Sequence, residues 1–255
     1  MSLRIAVLQP DIEWAAPARN LDRFEPHVAA CGADLLLLPE MFATGFCLDP
    51  ARIAEPDDGV ILATLRRWAA RYDCALAGSV AVSDGGSFHN RMYFVEPSGR
   101  VCSYDKHHLF TPGGETAAYR AGDRRTVVDY RGMRFLLAVC YDLRFPVWLR
   151  CRNDYDALLC CASWPASRRE AWRALLRARA IENQCYVAAA NRVGCDPAAH
   201  YAGDSVLLDF RGRTLSEAGD GACRIDATFD PAAVASFRRE FPVLNDADDF
   251  RLCIP

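Results

Sequence analysis

A thiol, a carboxylate and an amine occupy equivalent places in this sequence, and one reaction could use all three. Cys140 follows the apolar run Phe135-Leu-Leu-Ala-Val139, which predicts a buried strand that delivers the thiol at its carboxyl end. Glu40 follows Asp34-Leu-Leu-Leu-Leu-Pro39 in the same way, and Lys106 follows the short strand-like stretch Val101–Asp105. In sheet-based α/β proteins the carboxyl ends of strands commonly form the ligand crevice, so the pattern gathers these residues into one place. Hydrolysis by a thiol needs a nucleophile, a proton acceptor and a stabiliser for the oxyanion. Cys140, Glu40 and Lys106 supply one of each. Pro146 suits the first turn of a helix, where its missing N–H costs nothing. Cys140 is therefore expected between a strand end and a helix start, where unpaired backbone N–H groups favour a thiolate and hold an oxyanion. Histidine is the usual partner of a catalytic cysteine, so His27, His89, His107, His108 and His200 are alternative bases.

The elements that must position these residues fit an ordinary globular chain. Of 255 residues, 51% are hydrophobic and 25% charged, enough for a substantial core. A formal charge of −3 gives no electrostatic case for nucleic acid or an anionic membrane, so small molecules are the expected ligands. Met1 to Gln9 reads as a first strand and lacks the long apolar region of a secretory leader, and no apolar run is long enough to cross a bilayer. The twelve cysteines include no Cys-x-x-Cys spacing, and many lie in apolar runs. Reduced thiols in a cytoplasmic protein are expected, without a zinc site, any other metal or a cofactor.

Strands are predicted at Leu3–Leu8, 34–39, Cys74–Val82, Asn90–Val95, Val101–Asp105, Thr126–Tyr130, Met133–Val139, Asp156–Ala162, Cys185–Ala190, Ser205–Phe210 and Cys223–Phe229. Helices are predicted at Ala18–Cys31, with a kink or break at Pro26, and at Val60–Tyr72. A short helix should run from the Cys140 turn to about Arg152, and Pro231 should open a last one to Glu240. The clearest helix, Ser167–Gln184, has Ser167 placed as N-cap and Glu170 at the capping-box position. Strands and helices alternate with hairpins between them, which predicts an α/β sandwich of two mixed sheets with helices outside. No linker or repeat divides the chain, so residues 1–255 are expected to form a single domain.

Leu-Leu-Leu-Leu-Pro-Glu40-Met-Phe, Tyr-Asp-Lys106-His-His-Leu-Phe and Val-Cys140-Tyr-Asp-Leu-Arg-Phe-Pro resemble the three signature blocks of the nitrilase superfamily of carbon–nitrogen hydrolases. Their order agrees, with 66 residues from Glu40 to Lys106 and 34 from Lys106 to Cys140. The resemblance runs from Ile5 to the tail and includes Gly113-Gly-Glu115, Ala162-Ser-Trp-Pro165, Arg179-Ala-Ile-Glu-Asn-Gln184 and Asn191-Arg-Val-Gly194. Within the superfamily the sequence is most similar to the omega-amidase branch, which hydrolyses the terminal amide of 2-oxo dicarboxylic acid monoamides.

The resemblance implies a four-layer αββα sandwich and a Glu-Lys-Cys triad. It implies that Glu40 is the general base and Cys140 the nucleophile of a thioester intermediate. Lys106 and the Tyr141 backbone N–H would hold the oxyanion, and Glu115 would position the substrate or the lysine. Arg144 is expected either to bind a substrate carboxylate or to pair with Asp142. Trp164 and Phe42 are expected to line the pocket, with Asn191 as a further pocket candidate. A nitrilase acting on small nitriles and a catalytically idle binding protein on the same fold remain open alternatives. The resemblance also implies at least a homodimer, with the apolar tail of residues 241–255 in the interface.

Overall fold

The computed structural model describes residues 1–252. Its first half runs through β1 (Leu3–Gln9), α1 (Pro17–Ala29), β2 (Leu35–Leu37), α2 (Pro50–Ile53), β3 (Glu55–Pro56), α3 (Val60–Tyr72), β4 (Ala75–Asp84), β5 (Ser87–Val95) and β6 (Val101–Asp105). Then come α4 (Glu115–Ala118), β7 (Val127–Tyr130), β8 (Met133–Val139), α5 (Pro146–Leu149), β9 (Ala157–Cys161), α6 (Arg169–Asn183) and β10 (Tyr186–Ala190). The last third holds β11 (Val193–Cys195), β12 (His200–Ala202), β13 (Val206–Leu208), β14 (Thr214–Glu217), β15 (Cys223–Phe229) and α7 (Pro231–Glu240).

Side chains of the early strands alternate between two apolar environments, which sets the layer order. Ile5, Val7, Leu35, Leu37, Ala75 and Ala77 meet Phe135, Leu137 and Leu159 of the second sheet in a shared core. Their neighbours Ala6, Leu8, Leu36, Leu38 and Leu76 turn the other way, onto Phe24 and Val28 of α1 and Leu65 and Trp68 of α3. This is the two-residue period of a strand buried on both faces. Each fully buried leucine contributes about 2 kcal/mol. Trp172, Leu176 and Ala180 of α6 pack against the core from the side of the second sheet.

The two sheets are built alike. In the first, of order β15-β1-β2-β4-β5-β6 with β3 beside β4, the centre β1-β2-β4 is parallel and the flanks antiparallel. In the second, of order β14-β13-β10-β9-β8-β7, the centre β10-β9-β8 is parallel and the flanks antiparallel. Two mixed sheets with outer helices are the α/β sandwich expected from the sequence.

Three local expectations need correction. Pro26 neither breaks α1 nor ends it, because it lies on the exposed side while Phe24 and Val28 anchor the helix. Water can satisfy the carbonyl that Pro26 leaves without a donor. The expected helix after Cys140 divides into a 3-10 turn, Cys140–Arg144, and α5, since Phe145, ahead of Pro146, leaves the helical conformation at φ −112° and ψ 90°. Ser167 is not the N-cap of α6. A 3-10 turn over Ala166–Arg168 precedes the helix, and Arg168 occupies the cap without a side-chain bond. The short strands β3, β11, β12 and β14 were not expected, since two to four residues carry too little periodicity to read.

Candidate active site

Glu40 leaves the first sheet and reaches the second. Beyond β2 the Leu38 N–H still donates to Ala77 O at 2.7 Å, which carries the strand direction forward to the carboxylate. Met41 then turns sharply at φ +45°, held by its N–H on Ser79 Oγ at 3.0 Å. Glu40 is fully buried, and its N–H donates to Ala162 O beyond β9. Oε2 accepts the Ser163 N–H at 2.9 Å, while Oε1 accepts Lys106 Nζ and Asn90 Nδ2, each at 2.8 Å. An ionised carboxylate has about four lone-pair sites, so one remains for a thiol or a water.

Lys106 leaves β6 with its N–H on Asn90 O at 2.9 Å, and its side chain is wholly buried. The ammonium donates to Glu115 Oε1 and Oε2 at 3.0 and 2.8 Å as well as to Glu40, and it lies 5.3 Å from the centre of the Phe46 ring. Glu115 opens α4, is itself fully buried, and accepts the Phe110 N–H at 2.6 Å and Asn90 Nδ2 at 3.1 Å. One cation thus stands between two carboxylates. Burial works against the ammonium, but Glu115 first and then Glu40 outweigh it and hold the Lys106 pKa well above the usual lysine range.

Cys140 sits on the bend between β8 and the 3-10 turn, in the left-handed conformation at φ +46°. For a residue with a side chain this is a strained position that the surroundings must enforce. The enforcing group is Asp142. Its Oδ2 accepts the Val139 N–H at 3.0 Å and Tyr104 OH at 2.8 Å, and its Oδ1 accepts His108 N and Nδ1, both at 2.9 Å. The Lys106 loop and the Cys140 bend are therefore fastened to the same buried carboxylate. The sulfur lies beside Glu40 at the floor of a cavity of about 560 Å3, walled by Trp14, Phe46, Phe110, Tyr141, Trp164 and Tyr201.

Residues 4–239 match the carbon-nitrogen hydrolase family. The chain belongs to that family. It is 44% identical over 254 residues to the omega-amidase YafV of Yersinia enterocolitica, covering 98% of this chain and 99% of the relative. To the 2-oxoglutaramate amidase of Bacillus subtilis it is 35% identical over 253 residues, 96% of this chain and 98% of the relative. A CN-hydrolase superfamily protein from Xanthomonas campestris, whose crystal structure has an arsenic adduct in the active site, superposes with a TM-score of 0.95. That protein is 41% identical, with 99% of this chain and all of its own covered.

Carbon-nitrogen hydrolase chemistry needs a thiol that loses its proton on attack, and the surroundings of Cys140 leave it protonated at rest. Burial first and the Glu40 carboxylate second push its pKa well above the thiol range, and the Lys106 charge offsets only part of that rise. A neutral thiol at rest agrees with the expected role of Glu40 as the base that takes its proton.

Other expectations divide. Glu40, Lys106, Glu115 and Cys140 come together, and Tyr141, Arg144 and Trp164 line the same cavity. Phe42 does not line it. The turn at Met41 sends Phe42 to the outer face of the first sheet, among Leu38, Leu76 and Tyr93. Asn191 lies behind the wall, with Oδ1 accepting Trp164 N–H at 2.8 Å and Nδ2 donating to Trp164 O at 3.0 Å and Gly203 O at 2.7 Å. Arg144 does not pair with Asp142, whose oxygens are taken. Its guanidinium stacks 4.9 Å from the centre of the Trp164 ring. Sequence reasoning missed Asn90, which bridges Glu40 and Glu115, and Ser163, which holds Glu40. Ser163 stands in the quoted motif Ala162-Ser-Trp-Pro165, a signal that could have found it, whereas Asn90 lies in a plain strand.

No helix among the described residues is long and apolar enough to cross a membrane.

Proposed function

We propose that this carbon-nitrogen hydrolase is an omega-amidase, converting the terminal amide of a 2-oxo dicarboxylic acid monoamide to the acid and ammonia. The observation that carries the reading is the buried Lys106 ammonium held between Glu40 and Glu115 beside the Cys140 thiol. Glu40 takes the Cys140 proton as sulfur attacks the amide carbon. The carbonyl oxygen becomes an oxyanion beside Lys106 and the Tyr141 backbone N–H. Glu40 returns the proton to nitrogen, the C–N bond breaks and ammonia leaves a thioester. Glu40 then takes a proton from water, hydroxide adds to the thioester, and the acid departs as the proton returns to sulfur. Because the resting thiol is neutral, proton transfer and attack are coupled, which is work for a general base. Glu115 touches only the lysine and its surroundings, and its part is to keep that ammonium charged and aimed.

Arg144 supports the choice of a carboxylate-bearing substrate. It lines the cavity, its planar group is steadied on Trp164, and no carboxylate among the described residues is in contact with it. A guanidinium in that state suits a carboxylate bound through paired hydrogen bonds. Relatives named as an omega-amidase and a 2-oxoglutaramate amidase support the same reading. We also place the protein as at least a dimer, supported by Phe241 and Leu252, which expose 57% and 40% of their surface near the chain end. The rest of the tail, 253–255, lies outside the described residues.

Ammonia release from a 2-oxo dicarboxylic monoamide, a neutral amide of equal length and the matching nitrile tests the reading. The 2-oxo acid amide should lead in kcat/KM, and Arg144→Lys should lower that value by about 10- to 150-fold, the worth of a charged hydrogen bond. Preference for the nitrile or the neutral amide would overturn it.

A further inference from the structure

The motif Asn191-Arg-Val-Gly194 includes an arginine that the reaction does not use, and its side chain is wholly buried. Arg192 has little compensation for its charge. Nη2 donates to Ile12 O at 3.0 Å, Cys195 O at 3.3 Å and Asp11 Oδ1 at 3.3 Å, and Asp11 is half exposed. Nε donates to Val193 O at 3.1 Å. Nη1 has no hydrogen-bond partner among the described residues, and the nearest carboxylate, Asp196, is 4.0 Å away. The guanidinium carbon stands 4.6 Å from the centre of the Tyr201 ring. A buried charge so weakly paired costs stability, and a site that keeps one has a use for its geometry.

The three segments around Arg192 each contribute residues to the cavity wall. The first, Asp11–Trp14, bridges to β11 at Val193 and supplies Trp14. The second passes Gly45 and supplies Phe46 and Leu48; any side chain at Gly45 would come within 3.3 Å of Nη1 and 3.0 Å of Trp14. The third is the β11–β12 hairpin, which supplies the rim Pro197–Ala199 and Tyr201. Asp196 folds its tip, accepting the Ala198 and Ala199 N–H groups at 2.8 Å and Tyr201 OH at 2.6 Å. None of these segments belongs to the two six- and seven-stranded sheets, although the Gly45 segment continues from the Glu40 turn through Gly45 N–H on Met41 O at 2.8 Å.

We propose that Arg192 is a positioning residue for specificity: its guanidinium bonds the first and third segments together and packs beside the second at Gly45, and so sets the shape of the wall against which a substrate is held near Cys140. The tie acts on binding. Arg192 touches neither Cys140 nor Lys106, so chemistry on a bound substrate proceeds without it. The choice of a 2-oxo acid amide as assay substrate rests on the omega-amidase reading, whereas the tie itself does not.

Arg192→Met and Arg192→Lys test the inference, with Tyr201→Leu as a milder lesion should the methionine variant fail to fold. In the methionine variant KM for the 2-oxo acid amide should rise about tenfold or more while kcat stays within about threefold, and the lysine should recover part of the loss. Hydrogen exchange should speed up in residues 11–14, 45–48 and 193–202 and stay unchanged in β8 and β9. Iodoacetamide should reach Cys140 at least as fast as in the wild type. Unchanged KM and exchange in a folded variant would overturn the proposal. So would parallel losses of kcat and Cys140 alkylation, since they would put the effect on the triad. Wild-type protein inactive toward the 2-oxo acid amide would instead strike the omega-amidase reading, and the exchange measurement would still decide the role of Arg192.

Discussion

Among the described residues two cations, Lys106 and Arg192, are completely buried, and they are treated in opposite ways. Lys106 is held by two buried carboxylates at hydrogen-bond distance, and its pKa is driven up. Arg192 is held by carbonyl oxygens, an aromatic ring and two more distant carboxylates at 3.3 and 4.0 Å, and burial drives its pKa down. In the proposed mechanism the first arrangement keeps a charge constant while an oxyanion forms and collapses beside it. The second spends a cation on shape, its flat donor array joining the Asp11–Ile12 segment to the β11–β12 hairpin while Nη1 packs beside Gly45. A lysine, with a compact charge on a flexible stem, serves the first purpose; a guanidinium, with five fixed donors, serves the second. Catalytic floor and binding wall are thus built on different uses of the same kind of charge.

Removing each cation should separate the two uses most sharply. Lys106→Met leaves Glu40 and Glu115 buried beside each other without their counter-charge. It should lower kcat by at least about 10²–10³-fold, the usual cost of an oxyanion donor. It should also lower stability by about 3–5 kcal/mol, as expected when one partner of a buried ion pair is lost. Arg192→Met removes a cation whose nearest acids are otherwise satisfied, Asp196 by Tyr201 and two N–H groups and Asp11 by solvent. Its cost in stability should be smaller, about 1–3 kcal/mol, since it leaves the carbonyls of Ile12, Val193 and Cys195 without a donor but strands no unsatisfied carboxylate. Urea titrations of both variants check this, and equal losses would erase the contrast.

How far the sequence reveals each region follows from the same difference. The floor was legible because Glu40 and Cys140 stand directly after apolar runs and Lys106 after a short strand, and an apolar run announces both its burial and its end. Those three strand ends are enough to bring Glu40, Lys106 and Cys140 together from the sequence alone. Phe42 was misread because a single left-handed residue, Met41, reverses the side on which its neighbour emerges, and nothing in Pro-Glu-Met-Phe marks that turn. Arg144 and Asp142 are two residues apart and of opposite charge, yet Asp142 is claimed by His108 and Tyr104, both distant enough in sequence to give no sign. The wall was almost wholly hidden. Its strands are three residues long, and an arginine in a sequence reads as surface until the structure buries it.

A smaller effect concerns the resting state of the thiol. Burial and Glu40 raise the Cys140 pKa, so at neutral pH the group is protonated, and its reactivity toward a simple alkylating agent depends on rare deprotonation. The iodoacetamide rate of the free protein should therefore keep climbing with pH past about 8.5, the ordinary thiol value, without a plateau there. In Lys106→Met it should be lower still at any given pH, because the ammonium is the group that favours the thiolate. A plateau near or below neutral pH would mean a preformed thiolate and a smaller part for Glu40.

The most direct test is the mass of the protein quenched during turnover of a 2-oxo dicarboxylic monoamide. Acid stops the reaction with the thioester in place, and peptide mapping locates it. The result expected is one acyl group, equal to the substrate less ammonia, on the peptide that carries Cys140, with Cys160 and Cys161 of the adjoining buried strand unmodified. Ammonia release with no adduct at Cys140, or an adduct on another residue, would contradict the account.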